Sequence, residues 1–208
     1  MMFYSLLILN KVLLGARMRL AYLISLILSP HMYSAFVSLV YWENMRFSGG
    51  LPQLFIMILS LSVIPFALVY IGYLKGDVDI YISEREKRTK YYIGTIASYL
   101  SGVSTHLIFG FTEYLFLYLT YLIVGATLLI INFYWKISIH TAGISGPTLV
   151  LQLVSNKPYV VLLILLIPVF WARYRLRAHT ISQLLAGAFI SLMVTYLVYL
   201  FCLYLLVQ

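Results

Sequence analysis

Acidic side chains are scarce in this 208-residue chain, which has six Asp and Glu against fourteen Lys and Arg. Four of the six, Asp77, Asp79, Glu84 and Glu86, fall in one loop, and the other two are Glu43 and Glu113. No second acidic cluster exists, so the paired acidic metal sites of many phosphotransferases have little to build on. Cysteine is reduced to Cys202, inside an apolar run, which excludes a disulfide framework and a cysteine metal site. Charge of either sign amounts to 10% of residues, against about a quarter in a soluble domain. There is no internal repeat, no low-complexity tract and no barrel-like alternation of apolar and polar residues.

What fills the chain is hydrocarbon: 63% hydrophobic residues, 16% aromatic and a mean hydropathy of +0.98. A spanning helix needs roughly 20 apolar residues. Runs at about 20–42, 52–74, 91–109, 113–135, 139–156, 158–172 and 180–206 meet or approach that length. The fifth and sixth are short and carry Gly143, Gly146, Pro147, Pro158 and Pro168, which predicts kinked or incomplete spans. Backbone groups in lipid must be satisfied internally, so the predicted fold is all-α. It is a polytopic transmembrane helical bundle of six to seven spans, in one integral membrane domain over 1–208. Residues 1–19, with Lys11, Arg17 and Arg19 spaced through a short apolar stretch, read as an interfacial helix and not as a signal peptide. The net charge of +8 is concentrated at the ends of the apolar runs. Its expected partners are the bilayer and anionic headgroups, with no nucleic acid. Oligomeric state is left open. Trp42, Tyr91, Tyr92 and Trp135, near span ends, read as aromatic-belt residues, and His31 and His106 as polar groups inside the bundle.

Seven spans put the N-terminal segment, the 75–90 loop, the 135–138 junction and the 173–179 loop on one side. That side holds twelve of the fourteen Lys and Arg, and only Arg46 and Lys157 fall on the other. The positive-inside rule makes the rich side cytoplasmic. The same parity brings three basic segments to one membrane face: "KGDVDIYISEREKRTK" (75–90), "YWKISIHTAG" (134–143) and "FWARYRLRAHTISQLLAG" (170–187). Guanidinium groups bind phosphate oxygens bidentately. Two histidines beside a bound phosphate suit phosphoryl transfer, one attacking phosphorus and the other protonating the leaving oxygen.

These segments resemble the motifs of the type 2 phosphatidic acid phosphatase superfamily: Lys-x6-Arg-Pro, Pro-Ser-Gly-His and Ser-Arg-x5-His-x3-Asp. Arg173-x5-His179 keeps the third spacing, Ser138-Ile139-His140 matches the second, and Arg88 closes the first. The resemblance covers roughly 75–187. It implies a metal-free lipid phosphatase that hydrolyses a lipid phosphate or diphosphate, isoprenoid or phosphatidate-like, and needs no cofactor. His179 would be the nucleophile that forms a phosphohistidine, and His140 the general acid. Arg88, Ser138 and Arg173 would bind the phosphoryl group. The departures are specific. Tyr81 stands where the first lysine belongs, with Arg85 or Lys136 as substitutes, and Thr89 replaces the proline. Ile137, Ile139 and Ala172 replace Pro, Gly and Ser, and Gln183 replaces the aspartate that would orient and charge-stabilise His179. Gln183 can accept the imidazole hydrogen bond but brings no negative charge. From the residues alone, Ser138 is equally a helix N-cap and Lys136 equally a snorkelling interface lysine. Arg175 and Arg177 read as membrane-surface anchors. Two alternatives differ in kind. One is a Mg²⁺-dependent prenyl or alcohol phosphotransferase on Asp77, Asp79, Glu84 and Glu86; the other is a non-enzymatic lipid-phosphate-binding membrane protein.

Overall fold

The computed structural model describes the backbone of residues 2–45, 50–110 and 112–207, with side chains for 15–45, 50–110 and 113–205. Arg46 and the side chain of Lys11, both used in the charge count, lie outside these described residues. Among the described residues the chain is helical with no strand. The elements are α1 (Met2–Ile27), α2 (Pro30–Asn44), α3 (Leu51–Ile58), α4 (Ile64–Leu74), α5 (Arg88–Ile108), α6 (Leu115–Tyr134), α7 (Ile139–Val154), α8 (Leu166–Arg175) and α9 (Ile181–Val207). A π-helical turn, Leu59–Val63, joins α3 to α4, and a 3₁₀ segment, Tyr159–Leu165, leads into α8.

Three helical stretches are long and apolar enough to cross a membrane: Leu51–Leu74, Leu115–Tyr134 and Ile181–Leu205. A fourth is possible by length only if Gly15–Ile27 and Pro30–Asn44, bent by 42°, count as one. The apolar run 20–42 is therefore not a straight helix. Pro30 has no N–H to give to the ladder and disfavours helix at the residue before it. The chain restarts there, with Ser29 extended and its hydroxyl accepting from the Met32 amide at 3.4 Å. The segment expected as a separate interfacial helix over 1–19 is, for its described residues 2–19, continuous with 20–27 in α1. Pro65 acts more gently, since the π turn before it absorbs its missing donor and the helix continues.

The short α7 is the central post, packed by α2, α6, α8 and α9. Small residues let α9 approach it closely. Hydroxyls bond across the seam: Thr141 Oγ1 to the Leu184 carbonyl at 2.9 Å, Ser145 Oγ to Ala188 O at 3.0 Å, and Ser191 Oγ to Ala142 O at 2.8 Å. A Cβ on Gly187 would meet Ser138 O at 2.4 Å and Thr141 Oγ1 at 2.5 Å. Gly187→Ala should therefore cost about 1–3 kcal/mol through forced separation of α7 from α9. Gly125→Ala, whose Cβ would meet only ordinary contacts at 3.6 Å, should leave the thermal midpoint in detergent nearly unchanged. Equal midpoints for the two variants would refute the tight seam.

Candidate functional site

The C-terminal ends of α6 and α8 and the N-terminal ends of α5, α7 and α9 gather at one end of the bundle. The loop after α4 is laced across them. Asp79 organises this loop, its carboxylate accepting from the Tyr81 amide at 2.9 Å and the Ser83 amide at 2.8 Å. Burial pushes the Asp79 carboxyl up, but these amide bonds outweigh it and hold the group below the usual carboxylate range. Ile82 is driven to φ 48°, a left-handed conformation that a β-branched residue adopts only at a cost. Its carbonyl accepts from Arg88 Nε at 2.8 Å, and Arg88 reaches the Ile137 carbonyl at 3.1 Å. Arg88 is thus a buried clamp between the first and second basic segments.

The second segment meets the third through the backbone: the Ser138 amide donates to Gln183 O at 3.3 Å. Ser138 Oγ accepts from the Thr141 amide at 3.4 Å, so of its two roles the structure displays the N-cap. His140, on the first turn of α7, has Nε2 3.2 Å from Ser25 O.

The third segment is built from two helix ends. α8 terminates with the Arg177 amide bonded to Tyr174 O and the Ala178 amide to Arg173 O, with Arg177 at φ 51°. This is a Schellman stop. Two residues later α9 opens with a reciprocal capping box: the Gln183 amide donates to Thr180 Oγ1 at 3.3 Å, and the Thr180 amide to Gln183 Oε1 at 3.2 Å. His179 sits between them, its Nδ1 3.2 Å from that same Gln183 Oε1. An amide oxygen can only accept, so Nδ1 carries the proton and Nε2 holds the lone pair.

Arg173, 1% exposed, is almost bare of partners. One nitrogen lies 3.4 Å from Ser25 Oγ, the guanidinium lies 4.8 Å from the Tyr81 ring centroid, and Nε has no hydrogen bond. Burial, then Arg88, lowers its pKa to about 10. Arg88 is lowered by burial, and Lys136 by burial, Arg88 and Arg173. Burial, then Arg88, Arg173 and Lys136, drives His179 to about 3, against the opposing bond to Gln183. The cations of the cluster repel one another, and the Asp79 carboxylate offsets this in part.

Arg88, His140, Arg173, His179, Ser25 and Tyr81 line one end of a cavity of about 140 Å³. Its other walls are largely apolar or aromatic, including Phe66, Val69, Ile96, Tyr99, Val124 and Leu128 from α4, α5 and α6. A polar head with a greasy sleeve matches the shape of an amphiphile.

Of the residues singled out in the sequence, His179, His140, Gln183, Arg88 and Arg173 converge here, with Lys136 inside their electrostatic field. Arg85 does not. It donates to the Asn132 and Phe133 carbonyls at 2.8 and 2.5 Å and to Glu86 at 2.8 Å, closing the C-terminus of α6. The remaining acids of the loop are also engaged, Asp77 with Lys90 at 3.3 Å and Glu84 with Lys87 at 2.7 Å. Among the described residues no three His, Cys, Asp or Glu side chains form a metal-binding group. His106 is buried against Tyr118, ring centroids 4.8 Å apart, away from the cluster. His31 reaches the cavity wall. Ser25 and Tyr81 are site members that residue-type reasoning did not select. Tyr81 was signalled by its place seven residues before Arg88. Ser25, a small polar residue in an apolar run, had no signal. No family model, curated protein or solved structure matches the chain.

Proposed function

We propose that the chain is a multi-pass integral membrane protein of six to seven spans that hydrolyses a lipid phosphate or diphosphate. It would do so by the phosphohistidine route of the type 2 phosphatidic acid phosphatases, on the cytoplasmic face, with neither metal nor cofactor. The observation that carries this reading is the self-repelling cluster: Arg88, Arg173 and Lys136 around a neutral His179, at the head of an apolar cavity. A phosphoryl group would supply these cations with negative charge beyond that of Asp79. Arg88 and Arg173 hold its oxygens, and their charge stabilises the equatorial oxygens during transfer. The lone pair of His179 Nε2 forms the N–P bond as the P–O bond to the leaving group breaks. The leaving oxygen takes, by way of His140 Nδ1, the proton that the phosphate monoanion brings in, while His140 Nε2 faces Ser25 O. Water then attacks phosphorus, the N–P bond breaks, and its electron pair returns to Nε2. The proton lost by that water returns to His140.

The test is phosphate release from a panel of phosphatidate, polyprenyl phosphate and polyprenyl diphosphate, with and without EDTA. Turnover should survive EDTA, and loss with rescue by Mg²⁺ would favour the transferase. For orientation, a membrane-impermeant thiol reagent applied to intact cells should label a cysteine placed at Asn44 and spare one placed at Lys90. The reverse pattern would move the site outside.

A second reading has its own support. Gln183 Oε1 is shared between the Thr180 amide and His179 Nδ1 and lends His179 no charge, which suits a protein that binds a lipid phosphate without cleaving it. Binding without any release of phosphate across the panel would select this reading.

A further inference from the structure

A second hollow lies against the first. A groove of about 480 Å³ is formed by Arg19, Tyr22, Leu23 and Leu26 of α1, Tyr73 of α4, and Ile80 and Tyr81 of the loop. Leu26, Ile80 and Tyr81 also line the inner cavity, so these three side chains are the wall between the two. The groove side is half-exposed hydrocarbon: Tyr22 at 50%, Leu23 at 52% and Tyr73 at 48%. Its polar end is Arg19, exposed and without an ion-pair partner among the described residues. One cation above an apolar trough that borders a cationic cavity complements an anionic lipid with its chains in the bilayer.

Tyr81 is the part of the wall that faces both ways. On the groove side its ring stacks on Tyr22 with centroids 6.0 Å apart, and its hydroxyl donates to Tyr22 O at 3.2 Å. On the cavity side the ring covers the Arg173 guanidinium at 4.8 Å and lies 6.1 Å from His140. It therefore occupies the face of Arg173 that a phosphate arriving from the groove would need. What holds it is modest: two hydrogen bonds from the loop amides of Tyr81 and Ser83 to the Asp79 carboxylate, one long hydroxyl bond, and an Ile82 in a costly conformation next door.

We propose that the groove is the docking site for an anionic membrane lipid bearing a phosphomonoester headgroup, captured by Arg19, and that Tyr81 is the gate through which that headgroup passes to Arg173. This rests on the phosphatase reading of the inner site. The aromatic ring stabilises the buried cation while the site is empty, and the phosphate replaces it.

The test has two arms, neither of which needs turnover. In the first, benzoylphenylalanine replaces Leu23 in nanodiscs of phosphatidylcholine doped with phosphatidate. Crosslinked lipid should be enriched in phosphatidate by about fivefold over its share of the bilayer, the worth of one interfacial cation. Arg19→Ala should abolish the enrichment. The same label at Phe189, exposed on α9, should capture lipids in bilayer proportion. No enrichment at Leu23, or enrichment that survives Arg19→Ala, overturns the docking site. In the second arm, inorganic phosphate binding is measured by calorimetry. Tyr81→Ala should tighten it by about 3- to 30-fold by uncovering Arg173, while Tyr81→Phe, which keeps the ring, should not. Unchanged affinity in Tyr81→Ala overturns the gate. An Arg19-dependent crosslink in a protein that releases phosphate from no lipid would sink the phosphatase reading and leave the docking site standing.

Discussion

His179→Ala drops phosphate release by at least about 10³-fold, the scale on which loss of a nucleophile is felt. Lipid-phosphate binding stays within a few-fold, because Arg88 and Arg173 remain. Wild-type protein, quenched in the presence of ³²P-labelled substrate, should carry acid-labile and base-stable label that His179→Ala lacks. Retained turnover in His179→Ala would remove the phosphohistidine from the mechanism altogether. The same residue sets an acid limit on stability. Its pKa in the folded chain is about 3, below the ordinary imidazole value of 6.5. Between those values the unfolded chain binds a proton that the folded chain refuses, so the contribution of this residue to stability falls as pH drops through that window. The thermal midpoint should decline from pH 7 to pH 4.5, and decline less in His179→Gln. An identical decline in both proteins would mean that His179 is not the group being forced to stay neutral.

Arg173→Met should move activity and stability in opposite directions. Arg173 is a buried cation with one long hydrogen bond, an unpartnered Nε and a neighbouring Arg88. Replacing buried charged groups with well-packed apolar side chains of similar volume is often neutral or stabilising, by about 1–4 kcal/mol. Removing a preorganised donor from the transition state costs about 10²–10³ in rate. The variant should melt higher than wild type while releasing little or no phosphate. Inorganic phosphate should raise the midpoint of wild type and leave Arg173→Met unmoved. A variant that melts lower would show that the guanidinium is satisfied by contacts stronger than those to Ser25 and Tyr81.

The helical runs were legible because lipid leaves the backbone few options, and the apolar stretches from Leu51, Leu115 and Ile181 announce themselves by length. The three basic segments do converge, but the parity of seven spans from which that was argued goes beyond the three or four stretches that are long and apolar enough to cross among the described residues. The break at Ser29–Pro30 was less so, since an apolar run of spanning length masks an internal stop. The destination of Arg85 depends on orphan carbonyls at Asn132 and Phe133, 47 and 48 residues away, and no local pattern reports that. Gln183 was seen only as a weakened aspartate. The Thr180-x-x-Gln183 spacing is that of a capping box, but a glutamine four residues after a histidine reads equally as that histidine's partner, and both uses fall on one amide oxygen.

That capping box ties chemistry to folding order. One amide oxygen both begins α9 and decides which imidazole nitrogen keeps its proton. Until the last helix has nucleated, His179 is free to exchange tautomers and to face either way. On the phosphohistidine mechanism proposed above, the nucleophile is therefore not a residue waiting in a finished scaffold. It comes into being with the first turn of the final helix, and a chain truncated or frayed there would hold every catalytic side chain and still have no lone pair aimed at phosphorus.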